Sequence, residues 1–505
     1  MTLPTDRGPA EDTQTAAQTD ALSGRRALDR SLVSGIAWTG GAKWAVQIVS
    51  WASTLIVARL LTPADYGLFG MAMVFLGIVE YISEFGIGAA IIQGHDLAPQ
   101  HIARLSGFSV AVGFGSWALT AATAPLIAAF FGEPDLTRVI IVLGVSFVFS
   151  AFRAVPAALM SRDLQFRRLA VAETSEAVVL ILLTLGMAAA GQHYWALIIG
   201  MVGSRFVGAV VVNTMRPQPM AFPSPFADIA RSVRFGAYVV VSSLAWYAYG
   251  NADRVVLGRL LGKVALGDYA VGFNLASAPL EKVTQLYQRV SAAVIARVQK
   301  DTAEVARYLL RITEGVAIVT FPLSVGMALV AHEFVLVVLG DRWIDAVGPL
   351  RILSLAAALR SLDPLLAQLL IATGNAKTNA RSMIVAMVVL TPAFILGAQW
   401  GITGVALVWL IGHPAVVMTR QVWAALKVSR ASLADYLRAL WPATSSVTLM
   451  AAAVLAAQMA FSDVDSNAAL LVIQVATGVA AYSVALLALH RRRVFAARDF
   501  VLRRA

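Results

Sequence analysis

Long apolar runs, separated by short polar segments, follow one another along nearly the whole chain, from Val33 to Leu489. Each run is close to the roughly 20 residues that an α-helix needs to cross the hydrocarbon core of a bilayer. Turn sequences such as those at 61–63 and 132–134 separate the runs. The short alternating segments of a membrane β-barrel are not seen. The pattern therefore predicts an all-α integral membrane protein with about fourteen transmembrane helices.

Composition agrees with this assignment. The chain has 505 residues, of which 59% are hydrophobic and only 14% charged, whereas soluble domains carry about a quarter charged residues. It contains no cysteine, its six histidines form no metal-binding pattern, and no phosphate-binding or nucleophile motif is found. We therefore expect no cofactor and no enzymatic activity. The predicted spans are residues 33–57, 67–93, 105–130, 139–160, 169–190, 195–214, 235–257, 269–292, 313–331, 346–372, 382–397, 403–419, 439–460 and 468–489.

Lysine and arginine are distributed unevenly between alternate loops. We expect a bacterial inner-membrane protein. Because cytoplasmic loops carry the excess of these residues, the distribution predicts that both of its termini lie in the cytoplasm. The net charge of +11 is then explained by topology, and no nucleic-acid partner is expected. The basic residues of the predicted periplasmic loops are only Arg59, Arg138, Arg259, Lys263 and Arg342.

The chain also contains an internal repeat. The segment 58–67, which ends in Asp65-Tyr66-Gly67, returns as 258–270 with Asp268-Tyr269-Ala270. Six helices lie between the copies, so both copies have the same orientation, as in parallel repeats related by an axis along the membrane normal. We predict a disordered tail at 1–31, an N-lobe at 32–214, a cytoplasmic linker at 215–234 and a C-lobe at 235–427. Residues 428–505 then hold two further helices, whose role the sequence leaves open, and a basic tail.

Three stretches of the sequence are typical of one family. They are LIVARLLTPADYGLFG at 55–70, EFGIGAAIIQ at 84–93 and RDLQFRR at 162–168. The chain thereby resembles the polysaccharide transporter (oligosaccharide flippase) family of the multidrug/oligosaccharidyl-lipid/polysaccharide exporter superfamily, and it is most similar to the colanic-acid and xanthan-type exporters. The resemblance covers residues 32 to about 427 well and the last two helices loosely.

The resemblance implies both an architecture and a function. Two parallel six-helix lobes are expected to surround a central cavity. The substrate is expected to be an undecaprenyl-diphosphate-linked oligosaccharide repeat unit, moved from the cytoplasmic to the periplasmic leaflet for exopolysaccharide or lipopolysaccharide synthesis. Membrane lipids, and a polymerase and chain-length regulator of the same pathway, are the other expected partners.

Charged residues inside the predicted spans indicate candidate sites, because they are costly in lipid and usually either functional or paired. Arginine suits phosphate, since its planar guanidinium donates two parallel hydrogen bonds and keeps its charge. We expect the substrate's diphosphate and sugars to contact basic residues of both lobes. The candidates are Lys43, Arg153, Arg205 and Arg360.

Other interpretations of these charges stay open. Lys43 could pair with Glu80 or Glu84 across the first hairpin, and Pro156 and Pro364, which follow Arg153 and Arg360, could kink their helices or only shape packing. Glu80, Glu84 and Glu281 are candidates for coupling transport to protons or sodium ions. Glu176, in the first turns of span 5, is explained adequately by the helix dipole. Tryptophans near span ends, Trp343 among them, are expected to anchor the helices at the membrane interface.

Two functions compete with the flippase. A multidrug-type exporter of cations, from the same superfamily, predicts an acidic cavity, whereas the deep basic residues here match or outnumber the acids. A membrane polymerase or ligase predicts a large periplasmic loop, whereas every predicted outer loop is short. The sequence does not identify the sugar, the coupling ion or the oligomeric state.

Overall fold

The chain folds entirely into helices and their connections over the residues that the structure, a computed structural model, describes. These residues are 47 to 502 apart from 48, 85–87, 89–90, 93–97, 223–246 and 299–300. Within them the fourteen expected helices are present, although the beginnings of the first and seventh spans lie outside the described ranges. The predicted tail at 1–31 and most of the predicted linker at 215–234 also lie outside them.

The first six helices precede the linker. They are α1 (Val49–Leu60), α2 (Pro63–Glu84), α3 (Pro99–Phe131), α4 (Asp135–Arg162), α5 (Phe166–Ala189) and α6 (Trp195–Met215).

Eight helices follow the linker, and three of them are irregular: α10 is broken, α12 contains two π-helical turns, and α14 is kinked at His490. They are α7 (247–260), α8 (Gly262–Val298), α9 (Thr302–Leu329), α10 (Val347–Arg360 and Asp363–Ala372), α11 (Ala376–Gly397), α12 (Gly401–Leu407, continuing to Thr419–Ser429), α13 (Leu433–Ala460) and α14 (Asn467–Leu502).

Most of these helices are long and apolar enough to cross a membrane. Ten such segments occur in the described ranges, one of which, Ala376–Ser429, contains both α11 and α12.

Several helix ends are explained by local capping interactions. Asp301 caps α9 by accepting from the backbone N–H groups of Ala303 and Glu304, and Ser432 caps α13 by accepting from that of Asp435. Gly132 ends α3 with φ +75°, a left-handed conformation that glycine adopts without strain.

Helices α2 and α8 cross closely at the end of the molecule predicted to face the periplasm. A Cβ atom added to Gly67 would overlap the carbonyl oxygen of Lys263, and one added to Gly267 would overlap that of Pro63. Each helix therefore places a glycine against the backbone of the other, which allows the closest approach that two helices can make. We call these four residues the α2–α8 crossing.

Further contacts across the same end join the parts of the chain before and after the linker. The Trp343 indole Nε1 donates to the carbonyl oxygen of Ala58 at 2.9 Å, and Arg59 Nη1 donates to that of Val337 at 3.1 Å. Lys263 Nζ lies 2.8 Å from Glu133 Oε2.

Trp343 is fully buried in the main core, so its expected position as an interface anchor was wrong. It belongs to the turns that precede α10, and its ring packs edge-to-face against that of Tyr66 on α2, with the centroids 5.4 Å apart.

At the opposite end, the start of the linker is held against the first six helices. The Ala221 N–H donates to the Ala103 carbonyl oxygen at 3.0 Å, and Arg216 Nη1 lies 2.6 Å from Asp163 Oδ2. The hydrogen bond from Arg216 holds the pKa of the Asp163 carboxyl below its usual value. Both side chains lie in loops outside the spans.

Candidate functional site

Two ion pairs occupy the first six helices at membrane depth. Arg153 Nε on α4 lies 2.7 Å from Glu176 Oε1 on α5, and Arg205 Nη2 on α6 lies 3.2 Å from Glu80 Oε1 on α2. Gly208 makes the first pair possible, because a Cβ there would overlap the Glu176 carboxylate. The four charged groups thus join α2, α4, α5 and α6.

The Arg205–Glu80 pair remains partly accessible although it lies within the spans. The side chains are 31% and 38% exposed, respectively. Charged groups at this depth avoid the hydrocarbon and face a water-filled interior or one another. Arg153 and Arg205, both candidates for substrate binding, are therefore each partnered by a carboxylate. The helix-dipole interpretation of Glu176 omitted its main partner, Arg153.

The helices after the linker contain a second polar cluster, built around Asp253 on α7. This residue is completely buried. Its Oδ2 accepts from the Tyr269 hydroxyl at 2.7 Å and from the Trp409 Nε1 at 2.8 Å, and its Oδ1 accepts from the Arg254 backbone N–H at 2.8 Å. A buried carboxylate is tolerated only with such partners. The Tyr269 and Trp409 donors fix α7 against α8 and α12.

Two arginines extend from this cluster over aromatic rings. The guanidinium of Arg360, the last residue of the first part of α10, lies 4.1 Å from the Trp409 ring centroid and 5.2 Å from that of Phe273. The guanidinium of Arg254 lies 5.0 Å from the same Phe273 centroid. Neither forms an ion pair with a carboxylate of the described ranges. Stacking on aromatic faces stabilises a guanidinium without neutralising it, by about 0.5–2 kcal/mol.

The break in α10 follows immediately after Arg360. The Ser361 carbonyl oxygen accepts from the Tyr287 hydroxyl at 2.9 Å, so a backbone group at the break is satisfied by a neighbouring helix, as the bilayer requires. Asp363 begins the second part of the helix, and its Oδ2 lies 3.1 Å from Nε2 of the buried His413. By contrast Pro156, the matched proline, lies inside a continuous α4.

One tyrosine links the two charged regions. The Tyr247 hydroxyl on α7 donates to the Met73 carbonyl oxygen on α2 at 3.0 Å, and the Tyr247 and Tyr81 ring centroids are 5.5 Å apart. Asn251 connects this contact to Arg254, because its Nδ2 donates to the Tyr247 carbonyl oxygen at 3.0 Å and its Oδ1 accepts from Arg254 Nη1 at 3.0 Å. Tyr81 directly follows Glu80 on α2, so the Arg205–Glu80 pair and Arg254 lie on the two sides of the same α2–α7 contact.

Of the three remaining predicted residues, two have side chains that the structure does not describe and one has an exposed side chain. Lys43 and the side chain of Glu84 lie outside the part of the chain that the structure describes. Glu281 lies exposed on α8. Arg254 and Asp253, in contrast, are central to the cluster but were not among the predicted site residues, although a charged pair inside an apolar span is the signal that could have identified them. Within the described ranges no three His, Asp or Glu side chains are grouped as metal ligands.

A comparison with family models matches residues 56–348, more than half of the chain, to the family described as "Polysaccharide biosynthesis protein". The chain belongs to this family. The match covers α2 to α9 in full and so includes the two ion pairs, Asp253 and Arg254.

Curated relatives support the same membership. The lipopolysaccharide biosynthesis protein WzxC of Escherichia coli (strain K12) is 26% identical over 394 residues, which cover 76% of this chain and 79% of WzxC. The succinoglycan biosynthesis transport protein ExoT of Rhizobium meliloti (strain 1021) is 22% identical over 441 residues, 86% of each chain. The chain is thus a multi-pass membrane transport protein of bacterial polysaccharide biosynthesis, and not an enzyme.

The fold has a solved counterpart. The lipid II flippase MurJ, in a structure described as an inward closed conformation, superposes with a TM-score of 0.72 and covers 91% of this chain and 100% of its own. The two sequences are 12% identical, so this likeness concerns the fold. It confirms the predicted all-helical membrane architecture.

Proposed function

We propose that this protein is a flippase that moves an undecaprenyl-diphosphate-linked oligosaccharide repeat unit from the cytoplasmic to the periplasmic leaflet of the inner membrane. The repeat unit would then be used in exopolysaccharide or lipopolysaccharide synthesis. Membership of the polysaccharide biosynthesis family supports this pathway. The names of the relatives WzxC and ExoT, which refer to lipopolysaccharide and succinoglycan biosynthesis, support it as well. A polymerase and a chain-length regulator are the expected functional partners.

The observation that carries the proposal is the pair of stacked guanidiniums, Arg254 and Arg360. Both lie at membrane depth beside the Phe273 ring, and no carboxylate of the described part of the chain pairs with either. A diphosphate carries negative charge through the membrane and needs fixed donors of opposite charge that do not lose their protons. The binding site therefore shifts toward the C-lobe relative to the sequence hypothesis. Arg153 and Arg205 serve it through their ion pairs with Glu176 and Glu80.

The proposed mechanism is alternating access between two lobes, residues 32–214 and 235–427. The α2–α8 crossing and the Trp343–Ala58 hydrogen bond close the predicted periplasmic end, consistent with the inward conformation of the MurJ structure. Separation of the crossing would expose the stacked arginines to the other side, while the prenyl chain stays in lipid. Ion coupling through Glu80, Glu84 or Glu281 remains a prediction. Transport that persists in the absence of proton and sodium gradients would contradict it.

A multidrug-type exporter of cations is the alternative, and the Asp253 cluster argues against it. The Asp253 carboxylate already accepts hydrogen bonds from Tyr269, Trp409 and the Arg254 backbone. It therefore has little capacity left to hold a cationic drug, and two guanidiniums lie nearby.

The test is the transport activity of Arg254→Gln and Arg360→Gln. Each change removes a charge-assisted phosphate contact, and such contacts contribute about 1.5–3 kcal/mol. We expect flipping of a fluorescent lipid-linked oligosaccharide in proteoliposomes to fall at least about tenfold, with Arg360→Lys intermediate because it keeps the charge but loses the planar fork.

The matched control is Arg438→Gln, which makes the same change at an exposed arginine near the start of α13 whose ion pair within the described residues is with Asp435. Its activity is expected to equal that of the wild type. Wild-type activity of both Arg254→Gln and Arg360→Gln, at equal reconstituted protein, would remove these residues from the substrate site.

A further inference from the structure

A separate basic pocket lies between α11 and α12, away from the stacked arginines. It has a volume of about 440 Å³ and is lined by Thr378, Arg381, Ser382, Thr419, Arg420 and Trp423. The two arginines come from different helices, so the helix pair itself creates the site. Neither guanidinium forms an ion pair with a carboxylate of the residues that the structure describes.

The position of the pocket relative to the bilayer follows from the apolar runs. Arg381 immediately precedes the eleventh predicted span, 382–397, and Arg420 immediately follows the twelfth, 403–419. Trp423, which is 67% exposed, lies one helical turn beyond Arg420. Tryptophan and arginine with this exposure are typical of the level of the lipid headgroups. The pocket therefore lies where a membrane phosphate would be.

The surface beside the pocket distinguishes a lipid from a free anion. On α11, Arg381 is followed at helical spacing by Ile384, Val388 and Ile395, and all three apolar side chains are about half exposed or more. Residues three, four and seven apart lie on the same face of a helix. An acyl chain can therefore lie along this stripe while its phosphate is bound between the arginines.

We propose that the α11–α12 pocket binds the phosphate of an anionic phospholipid in the leaflet on that side of the membrane. Basic pockets between transmembrane helices at the headgroup level are suited to such lipids. Thr378 adds a hydroxyl, and Trp423 adds an interfacial ring. The site joins two helices of the same lobe, so the bound lipid stabilises that lobe and is not transported. This proposal does not rest on the flippase function.

The experiment compares lipid binding by the purified full-length protein and by Arg381→Gln/Arg420→Gln. Native mass spectrometry is used with phosphatidylglycerol, with zwitterionic phosphatidylcholine and with inorganic phosphate as separate probes. A basic residue near an anionic membrane surface contributes about 1 kcal/mol, or about fivefold in affinity. We therefore expect the double variant to bind phosphatidylglycerol about 25-fold more weakly. The wild type should prefer phosphatidylglycerol to phosphatidylcholine.

Arg438→Gln is the control for nonspecific loss of positive charge, and Arg381→Lys/Arg420→Lys, which keeps the charge, checks that the double variant is not simply misfolded. The proposal predicts full binding for the first and partial binding for the second. It is overturned if the double glutamine variant binds phosphatidylglycerol as the wild type does, or if the Arg438→Gln variant loses as much. Binding of inorganic phosphate alone that is as strong as that of phosphatidylglycerol, and equally weakened in the double glutamine variant, would overturn the assignment to a lipid.

Discussion

At the residue scale, Asp253 shows how this membrane protein tolerates a buried carboxylate that forms no ion pair within the described part of the chain. Its two oxygens receive three hydrogen bonds, from the Tyr269 hydroxyl, the Trp409 indole and the Arg254 backbone N–H. Each hydrogen bond to a charged group contributes about 1.5–3 kcal/mol, and a donor removed from a buried acceptor leaves its desolvation uncompensated. The cluster therefore stabilises the C-lobe and also positions Arg254 and Trp409.

Tyr269→Phe tests this account. The change removes one donor from Asp253 and preserves the ring, so we expect a loss of stability of about 1.5–3 kcal/mol, measured as a lower melting temperature in detergent. Tyr249→Phe is the matched control, because the buried Tyr249 hydroxyl makes no hydrogen bond within the described residues. The same melting temperature for Tyr269→Phe and the wild type would contradict the account.

At the scale of elements, the closed end depends on helix backbones more than on side chains. The α2–α8 crossing places Gly67 against the Lys263 carbonyl and Gly267 against the Pro63 carbonyl. The two contacts are reciprocal, as expected for the parallel repeat that we propose. A methyl group at either glycine must push the helices apart, and overpacking of this kind costs about 1–3 kcal/mol.

We therefore expect Gly67→Ala and Gly267→Ala to open the predicted periplasmic end. The chain has no cysteine, so a single reporter, Ala346→Cys, can be introduced at a fully buried position of that end. A membrane-impermeant maleimide should label it faster in either glycine variant than in the background protein.

Gly115→Ala is the control, because a Cβ at this position in α3 would meet no atom within 4 Å. Labelling that is equally slow in all variants would show that the crossing does not hold this end closed.

At the scale of the whole molecule, the alternation of loops determines which end faces the cytoplasm. The turn around Gln192 joins α5 to α6, and the turn around Ser466 joins α13 to α14. The turn around Gln165 joins α4 to α5 and lies at the opposite end. With both termini in the cytoplasm, Gln192 and Ser466 face the periplasm and Gln165 does not.

Single-cysteine labelling in intact cells tests this orientation. A maleimide that crosses the outer membrane but not the inner membrane should modify Gln192→Cys and Ser466→Cys in intact cells. It should modify Gln165→Cys only after the cells are lysed. The reverse pattern would invert the proposed direction of transport.

The helices could be predicted from the sequence, whereas the pairing of charges could not. A bilayer demands long apolar runs, and α4 to α6 begin and end within a few residues of the predicted spans. The Arg153–Glu176 pair depends on how α4 packs against α5, which no local pattern contains. Trp343 was predicted at the interface because of its place near a span end, but tertiary packing buries it.

The repeat was detectable from the sequence, but its two motifs imply different registers. The Asp-Tyr motif aligns Asp65 with Asp268 and therefore Gly67 with Ala270, whereas the preceding segment aligns 58–61 with 258–261 and therefore Gly67 with Gly267. The reciprocal contacts of Gly67 and Gly267 agree with the second register, because close helix crossing requires small residues.

The α2–α8 crossing has a consequence for how this chain tolerates natural variation. Because the atoms that each glycine meets are backbone carbonyls, the side chains at Pro63 and Lys263 are not specified by the contact. Substitutions can therefore accumulate at those two positions without harm to the contact, whereas either glycine can be exchanged only if the whole helix shifts. In a large collection of naturally occurring variants, the two glycines should be the most restricted positions of the crossing.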